Sequence, residues 1–553
     1  MNTVSPALVT QRSAARLPRI ALFGLCAAYV LPGIVGRDPW RNADLVAYAQ
    51  MLGIAEGRMS WLAPELGGRP VADPAWLPNG LGALFIRLLE PLGDPALAAR
   101  IPFALLLALT LVLVWYATFH LARTEHAQPL PLAFGGEAEP VSYARAVADG
   151  ALLAFIATLG LLQPGHETTP ELAQLFAASL YVYALAAAPY RRWQPRLAVT
   201  VALSVLAASG APSIGVALGL AGTIVCLRSA YEPARRYAPW VLGATVLAAV
   251  LATAWGAWRW RGQPLDLDAA RSIARQWAWF LWPAWPLALW TLWRWRGHLL
   301  HRHLSVPLTL ALTAMLSSVL MGGSDRALML AVPATAILAA FALPTFKRST
   351  SAAIDWFSVF FFTLCAAAIW VIYVAMQTGV PAKPAANVAK LAPGFPATFS
   401  PLALALATAG TLAWIALVRW RTGRHREALW KSLVLPAGGV ALCWLLLMTL
   451  WLPLLDYARS ARPWVDRVSA HLPPGACVLT PGASPVVVAA LEQAGRWRVV
   501  AAANGGASND CRWQLRVSRT GRPQPPAATW ELVAEIKRPT DRDEVTAIYR
   551  LAP

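Results

Sequence analysis

Long apolar segments recur through the first 453 residues of this chain and constrain its fold more than any other feature. Most are about 18–22 residues long, close to the roughly 20 apolar residues that a helix needs to cross a bilayer core. Hydrophobic residues make up 57% of the sequence and charged residues 14%, whereas soluble domains are about 45–50% apolar and about 25% charged. The sequence therefore predicts a mainly α-helical, polytopic membrane protein.

These segments correspond to about thirteen predicted transmembrane helices. The predicted spans lie near residues 18–36, 99–121, 148–163, 172–188, two within 197–228, 239–257, 277–294, 305–321, 327–344, 356–376, 400–418 and 433–453.

The formal net charge of +19 would by itself suggest a nucleic-acid partner. The Lys and Arg residues, however, lie in short clusters between the apolar segments, as membrane topology requires. We therefore expect no nucleic-acid binding and a cytoplasmic N-terminus, because a basic segment precedes the first span. Thirteen spans then place the C-terminus outside the cytoplasm. The Arg-rich loop 258–275 is an exception, since it falls on the outer side.

The sequence pattern changes after the transmembrane domain, residues 1–453. Residues 454–553 are predicted to form a small extracytoplasmic α/β domain, with a helix at 484–494. Its strand-like runs are 475–480, 496–503, 511–518, 529–536 and 544–550. Cys477 and Cys511 lie in this domain, where an oxidising environment would allow them to pair.

A polar outer loop, residues 37–95, separates the first two spans and is the predicted catalytic region. Carboxylates concentrated between membrane spans indicate function. Asp38-Pro39 has the pattern of an N-cap followed by proline at the first helical position. We therefore predict an amphipathic juxtamembrane helix from Asp38 to Gly57 and a second interfacial helix at 79–93. The acidic residues at 37–78 are Asp38, Asp44, Glu56, Glu65 and Asp73, five of the 28 in the chain.

An ordered set of motifs resembles the fold-C (GT-C) membrane glycosyltransferases, a group that includes bacterial aminoarabinose transferases of lipid A and protein O-mannosyltransferases. The motifs are Asp38-Pro39-Trp40, Asp44, Trp61-Leu-Ala-Pro64-Glu-Leu66-Gly-Gly68-Arg-Pro70, Ala98-Ala-Arg100-Ile-Pro102 and GGSDRALML, which contains Arg326. Two elements depart from the group. Its usual Asp-Glu pair reads Ala43-Asp44, and its Lys-Pro-Pro-Leu element is replaced by ADPAWLPNG, which lacks Lys.

The resemblance implies a GT-C-like fold and a glycosyltransferase of the bacterial inner membrane, in contact with membrane lipid. Such an enzyme moves a hexosyl or pentosyl group from a polyprenyl-phosphate-linked sugar to a periplasmic acceptor, which is lipid A, a glycan or a protein. Relatives carry an acidic residue in the loop after the third span, and Glu167 occupies that loop here. Arg326 corresponds to a ligand of the lipid phosphate.

Transfer from a lipid phosphate needs a carboxylate near the acceptor and cations near the phosphate. The carboxylate takes a proton from an acceptor hydroxyl or orients an anionic acceptor. We predict Asp44 for this catalytic role, followed by Asp38 and Glu167. Arginines on the outer side can hold the phosphate through charge-assisted hydrogen bonds. This chemistry adds Arg271 and Arg275 to Arg326 as predicted substrate ligands.

Three further side chains are predicted to bind substrate. Tyr48 follows Asp44 by four residues and shares its helical face. His166 adjoins Glu167, and such a pair can act as acid, base or metal ligand, so a divalent metal ion is left open as a cofactor. Asp73 precedes the second interfacial helix. Simpler roles compete with these predictions: an N-cap for Asp38, a solvated face or helix cap for Asp44, and a polar turn at Glu167 with Glu171 capping the next helix.

Two other functions fit a polytopic membrane protein of this kind. A transporter or flippase of lipid-linked sugars would place charges near the bilayer midplane, often in repeated halves. Here the charges lie in the outer loops and no internal repeat is evident. A polysaccharide ligase or a non-catalytic membrane protein is the second alternative. One observation distinguishes the glycosyltransferase from these two alternatives. It is whether Asp44, Glu167 and an outer arginine converge on one cavity open to the lipid.

Overall fold

The computed structural model describes residues 5–71, 75–258, 262–423, 428–501, 511–519, 523, 526, 529–541 and 543–552, without the side chain of Leu92. The predicted substrate ligand Asp73 lies outside the described residues.

Helices occupy every segment that was predicted to span the membrane. In chain order the α-helices up to the last span are α1 (Arg19–Val30), α2 (Ala43–Ala55), α3 (Trp76–Leu88), α4 (Pro95–Ala122), α5 (Pro140–Ala157), α6 (Pro170–Ala187), α7 (Gln194–Ala208), α8 (Pro212–Leu227), α9 (Glu232–Arg235), α10 (Ala238–Ala254), α11 (Leu267–Phe280), α12 (Ala284–Arg294), α13 (Arg302–Leu320), α14 (Asp325–Met329), α15 (Val332–Ala340), α16 (Arg348–Thr378), α17 (Ala382–Leu391), α18 (Pro401–Thr422) and α19 (Lys431–Leu450).

Eight helical segments in the described part of the chain are long and apolar enough to cross a membrane. They are Pro95–Ala122, Pro140–Ala157, Glu232–Ala254, Arg302–Leu320, Asp325–Thr345, Arg348–Thr378, Pro401–Thr422 and Lys431–Leu450. The other predicted spans correspond to the shorter apolar helices α1, α7 and α8, and to α6 and α12. The architecture is that of a multi-pass helical membrane protein, which confirms the predicted fold class.

The span predicted at 277–294 is wrong as a continuous helix. Helix α11 ends at Phe280 and α12 begins at Ala284. Pro283 lies in the break, because proline has no N–H to donate and its ring clashes with the preceding turn. The span predicted at 327–344 is likewise divided into α14 and α15, and residues 327–344 are buried within the protein. The first turn of α14 carries Arg326.

The helix predicted to begin at Asp38 is also wrong in its start and in its exposure. Helix α2 begins at Ala43, after Asn42 in a left-handed conformation with φ of 75°. Asp38 is not an N-cap, because its carboxylate pairs with Arg462. From Asp44 to Ile54, α2 is buried at every position except Val46. It is therefore a core element rather than an amphipathic helix on the membrane surface.

The C-terminal domain has the predicted strands and helix. Its elements are α20 (Leu452–Arg459), α21 (Arg462–Ser469), β3 (Cys477–Leu479), α22 (Pro485–Gln493), β4 (Arg498–Val500), β5 (Trp513–Ser518), β6 (Trp530–Lys537) and β7 (Val545–Leu551). The two earlier strands, β1 (Glu65–Leu66) and β2 (Arg69–Pro70), form a short hairpin in the outer loop. Strands β3–β7 form a mixed sheet in the order β4-β3-β5-β7-β6, in which β3 is parallel to β4 and β5. The predicted disulfide between Cys477 and Cys511 is confirmed, with a Cα–Cα distance of 4.7 Å.

The C-terminal domain packs directly on the outer loop. Leu45 and Leu66 from the loop share one hydrophobic core with Trp464 and Val488 from the domain. At the hairpin, the Gly67 carbonyl accepts a hydrogen bond from Ala501 N at 2.9 Å. A Cβ on Gly67 would come within 2.9 Å of the Ala501 and Val488 side chains, and its φ is +61°. Only glycine fits this close approach without strain. The hairpin of the outer loop therefore packs tightly against the C-terminal domain.

Candidate active site

The Asp44 carboxylate is the centre of a buried polar cluster. Its Oδ1 accepts hydrogen bonds from Thr168 N and Thr168 Oγ1, each at 2.8 Å. Its Oδ2 accepts from Trp40 N at 3.0 Å and lies 3.5 Å from Arg37 Nη2. The Asp44 side chain is only 1% exposed. Asp44 thus joins the outer loop to the loop after α5. The alternative role of Asp44 on a solvated helix face is therefore wrong.

Two arginines keep Asp44 ionised inside the protein. Burial alone would raise its pKa, but the positive charges of Arg37 and Arg100 and the two Thr168 hydrogen bonds lower it below the usual value. Arg37 also donates from Nη2 to the His166 carbonyl at 2.6 Å. A carboxylate held in its charged form is a weak proton acceptor but a strong electrostatic anchor.

Glu167 forms an ion pair with Arg326, which brings two predicted site residues together. The catalytic role of Glu167 and the substrate-binding role of Arg326 stay predictions. Glu167 Oε1 accepts from Gln163 Nε2 at 2.8 Å, and Arg326 Nη1 donates to Thr169 Oγ1 at 3.1 Å. Burial raises the pKa of Glu167; the Arg326 charge opposes this shift and the nearby Asp44 charge adds to it. The environments of the two carboxylates therefore move their pKa values in opposite directions, a pattern found at acid–base sites.

The His166 ring faces the protein interior. Its Nδ1 lies 2.6 Å from the Leu162 carbonyl and its Nε2 lies 2.7 Å from the Tyr29 carbonyl. Its centroid is 4.5 Å from that of Trp444. Burial lowers its pKa to about 4. These contacts hold the loop that presents Glu167, and substrate binding by His166 stays a prediction.

Asp38 lies at the boundary between the outer loop and α21. Its two carboxylate oxygens accept from Arg462 Nη2 at 2.7 Å and from Arg462 Nε at 3.0 Å. Its backbone N–H lies 3.3 Å from both oxygens of Asp456, and Asp456 Oδ1 also accepts from Trp40 Nε1 at 2.7 Å. The Arg37 and Arg459 guanidinium carbons lie 4.7 and 5.2 Å from the Trp40 ring centroid. A cation–π pair of this kind fixes Trp40 beside the cluster.

A polar cavity of about 910 Å³ lies between part of the outer loop and the C-terminal domain. Arg37, Asp38 and Tyr48 line it from the loop, and Arg462 and Glu492 line it from the domain. Burial raises the pKa of Tyr48, so its hydroxyl stays protonated. Asp44 and Glu167 do not line this cavity and lie one layer behind Arg37 and Asp38.

The predicted outer arginines of the 258–275 loop are not brought into the cluster. Arg271 and Arg275 lie exposed on α11, where Arg271 Nη1 is 3.5 Å from Asp268 Oδ1. Among the described residues, neither arginine forms a hydrogen bond or ion pair with the Asp44–Glu167 cluster. No group of three or more His, Cys, Asp or Glu side chains in this part of the chain is arranged to hold a metal ion.

Sequence reasoning missed several members of the cluster. Arg37 directly precedes the Asp38-Pro39-Trp40 motif and Arg100 lies inside the Ala-Ala-Arg-Ile-Pro motif, so both could have been nominated from the motifs themselves. Thr168 follows Glu167 and was read as part of a turn. Asp456 and Arg459 belong to α20, which carries no motif, and only the folded chain brings them to Trp40.

The fold and the cluster together define a class: a multi-pass membrane protein whose outer loop forms a charged site beneath a C-terminal α/β domain. Among solved structures, this chain is similar to ArnT from Cupriavidus metallidurans. The match to ArnT bound to undecaprenyl phosphate has a TM-score of 0.57 at 13% identity and covers 96% of both chains. The match to apo ArnT has a TM-score of 0.58 at 14% identity and covers 96% of this chain and 97% of that chain.

This likeness extends over nearly the whole of both chains and confirms the predicted GT-C-like, ArnT-like fold. Searches found no protein-family profile and no curated protein that matches the sequence. The fold is therefore recognisable although the sequences are only 13–14% identical.

Proposed function

We propose that this protein is a membrane glycosyltransferase that uses a polyprenyl-phosphate-linked sugar as donor. The observation that carries the proposal is one buried cluster, in which Asp44 binds Thr168 and the adjacent Glu167 binds Arg326, in a fold that aligns with ArnT over 96% of both chains. Asp44, Glu167 and Arg326 do not line the 910 Å³ cavity, so their support for the proposal is their mutual contact and not a shared cavity. One of those ArnT structures contains undecaprenyl phosphate. The acceptor lies on the extracytoplasmic side and is lipid A, a glycan or a protein.

In the proposed step, an acceptor oxygen attacks the anomeric carbon of the sugar and forms the new C–O bond. The bond between that carbon and the phosphate oxygen breaks, and its electron pair leaves with the lipid phosphate. A hydroxyl acceptor also loses its proton to a base, whereas a phosphate acceptor needs none. Of the three predicted catalytic carboxylates, only Asp38 lines the cavity. We therefore assign proton acceptance to Asp38, which must first break its ion pair with Arg462.

Asp44 has a different part in this proposal. It remains ionised, balances the buried Arg37 charge and fixes Thr168, so that the loop carrying Glu167 stays beside the outer loop. A charge that is positioned before the reaction stabilises the developing positive charge at the sugar without reorganisation in the transition state. Asp44 is thus a candidate for electrostatic catalysis rather than for proton transfer.

The donor phosphate is assigned to Arg326. In the structure this guanidinium is engaged by Glu167, and its side chain is 21% exposed. A phosphate that replaces Glu167 would retain charge-assisted hydrogen bonds to the guanidinium. The displaced Glu167, whose pKa is raised by burial, would be free to take up a proton.

The proposal is tested in a strain from which the gene has been deleted. Mass spectrometry of lipid A, envelope glycans and envelope proteins should show one molecular class that lacks a sugar residue. Complementation with the wild-type gene should restore that residue, and complementation with Asp44→Asn at a matched protein level should not. No change in any of the three classes would contradict the proposed function.

A further inference from the structure

A second cavity, of about 440 Å³, lies behind the Asp38–Arg462 ion pair. Both of these residues also line the 910 Å³ cavity, so this single pair separates the two compartments. The second cavity is open to solvent and is lined by residues of α20, of α21, of the segment that follows α17 and by Pro539. Its size falls within the roughly 300–1,000 Å³ range of small-molecule sites.

The chemistry of this wall suits a ring that carries hydroxyl groups. Phe395 and Tyr457 present two aromatic rings with centroids 5.6 Å apart, and the Tyr457 hydroxyl donates to the Pro393 carbonyl at 2.6 Å, which fixes its ring. Asp456 and Asp466 contribute carboxylates. Apolar surfaces with a few placed polar groups are typical of binding sites for small ligands.

The charges in the cavity argue against a phosphate group. The two lining arginines are already engaged, since Arg462 binds Asp38 through two nitrogens and Arg467 Nη1 donates to the Lys537 carbonyl at 2.9 Å. Burial raises the pKa of Asp456 to about 6, and a second anion beside it would raise the pKa further. What remains available is the exposed Asp466 carboxylate beside the Phe395 and Tyr457 rings, a combination that suits an uncharged or amino-substituted sugar.

We propose that this second cavity binds one non-phosphorylated sugar residue, next to the site where transfer takes place. The sugar belongs either to the acceptor, one unit away from its reacting oxygen, or to the donor. The inference rests on the proposed glycosyltransferase function for the source of the sugar, whereas sugar binding itself is measured without any transfer reaction.

The test uses the purified full-length protein in lipid nanodiscs and an array of immobilised mono- and disaccharides in neutral, amino and phosphorylated forms. Thr398 lies exposed at the rim of the cavity, so Thr398→Trp should fill it without disturbing a buried contact. Ala397→Trp is the matched control, because Ala397 is the exposed neighbouring residue and does not line the cavity.

We expect the wild-type protein, Asp44→Asn and Ala397→Trp to bind the same neutral or amino sugar. Thr398→Trp should weaken that binding at least tenfold. Absence of sugar binding, preference for phosphorylated sugars or equal binding by Thr398→Trp would overturn the inference. In a transfer assay, Thr398→Trp should raise the KM for the acceptor if the sugar is the acceptor's, and the KM for the donor otherwise. Sugar binding without any transferase activity would contradict only the proposed function.

Discussion

Asp44 accepts two hydrogen bonds from Thr168, a residue 124 positions later in the chain, through both the backbone N–H and the side-chain hydroxyl at 2.8 Å. This one carboxylate therefore connects the first outer loop to the loop between α5 and α6. The next residue toward the N-terminus from Thr168 is Glu167, which binds Arg326. The geometry explains how a buried aspartate can influence a site that it does not line.

Asp44→Asn should lower transfer by a hundredfold or more, on the scale of a lost catalytic charge. It should also destabilise the fold by on the order of 3 kcal/mol, because Arg37 would remain as a buried charge without its partner. The measurement is product formation from a polyprenyl-phosphate sugar in membranes, normalised to the amount of folded protein. Asp268→Asn is the control, since Asp268 is 93% exposed on α11. Wild-type turnover by folded Asp44→Asn would remove the assignment.

Asp38→Asn should act on kcat rather than on stability, because its partner Arg462 has a side chain that is 69% exposed. If Asp38 accepts the proton of a hydroxyl acceptor, the variant should lose on the order of a hundredfold in kcat. The measurement is product formation in membranes at matched levels of folded protein. Wild-type kcat in Asp38→Asn would show that the acceptor needs no base from this position.

Arg326→Ala should raise the KM for the lipid-linked donor at least tenfold and leave the KM for the acceptor unchanged, because the guanidinium is assigned to the donor phosphate. Arg326→Lys keeps the charge without the forked geometry, so its effect should be intermediate. Arg275→Ala serves as the comparison, since Arg275 lies exposed on α11. An unchanged donor KM in Arg326→Ala would refute the phosphate assignment.

The disulfide between Cys477 and Cys511 closes a loop with a sequence separation of 34 residues between neighbouring strands β3 and β5. Replacing both cysteines by serine should destabilise the C-terminal domain by about 2–4 kcal/mol. Peptide mass analysis without reductant should detect the cross-linked peptides in the wild-type protein. Free thiols at both positions would disprove the pairing.

Asp456 should make stability depend on pH. Burial raises its pKa to about 6, above the usual value, so between about pH 4 and 6 the folded chain binds more protons than the unfolded chain. Its contribution to stability is therefore complete below about pH 4 and is lost as pH rises through about 6. Asp456→Asn should be more stable relative to wild type at pH 7.5 than at pH 5, as measured by Tm in nanodiscs. An equal difference in Tm between variant and wild type at both pH values would count against a raised pKa for Asp456.

The membrane orientation is a separate prediction. With a cytoplasmic basic N-terminus and thirteen spans, a topology reporter fused after residue 460 should be active outside the cytoplasm. Reporter activity in the cytoplasm would reverse the assignment of every loop, including the one that carries Asp44.

Local sequence was sufficient to locate most of the apolar helices and the C-terminal strands, but not the breaks within the segments 277–294 and 327–344. Partition into a bilayer depends on the hydrophobicity of a segment of about 20 residues, and strand formation depends largely on short runs of β-branched and aromatic side chains. The motif order also indicated the fold, which the likeness to ArnT confirms. The N-cap predicted at Asp38 failed because the same carboxylate had a stronger, distant partner in Arg462.

The candidate site required the tertiary structure. Asp44 meets Thr168 across 124 positions, Arg326 meets Glu167 across 159 and Arg462 meets Asp38 across 424. Pairing at such separations is set by how helices and domains pack, and no window of sequence contains both partners. Burial was equally hidden, because whether a carboxylate is solvated, paired or enclosed depends on the side chains that surround it in the folded chain. The residue types could be read from the sequence, whereas their charge states and their access to a ligand follow from packing alone.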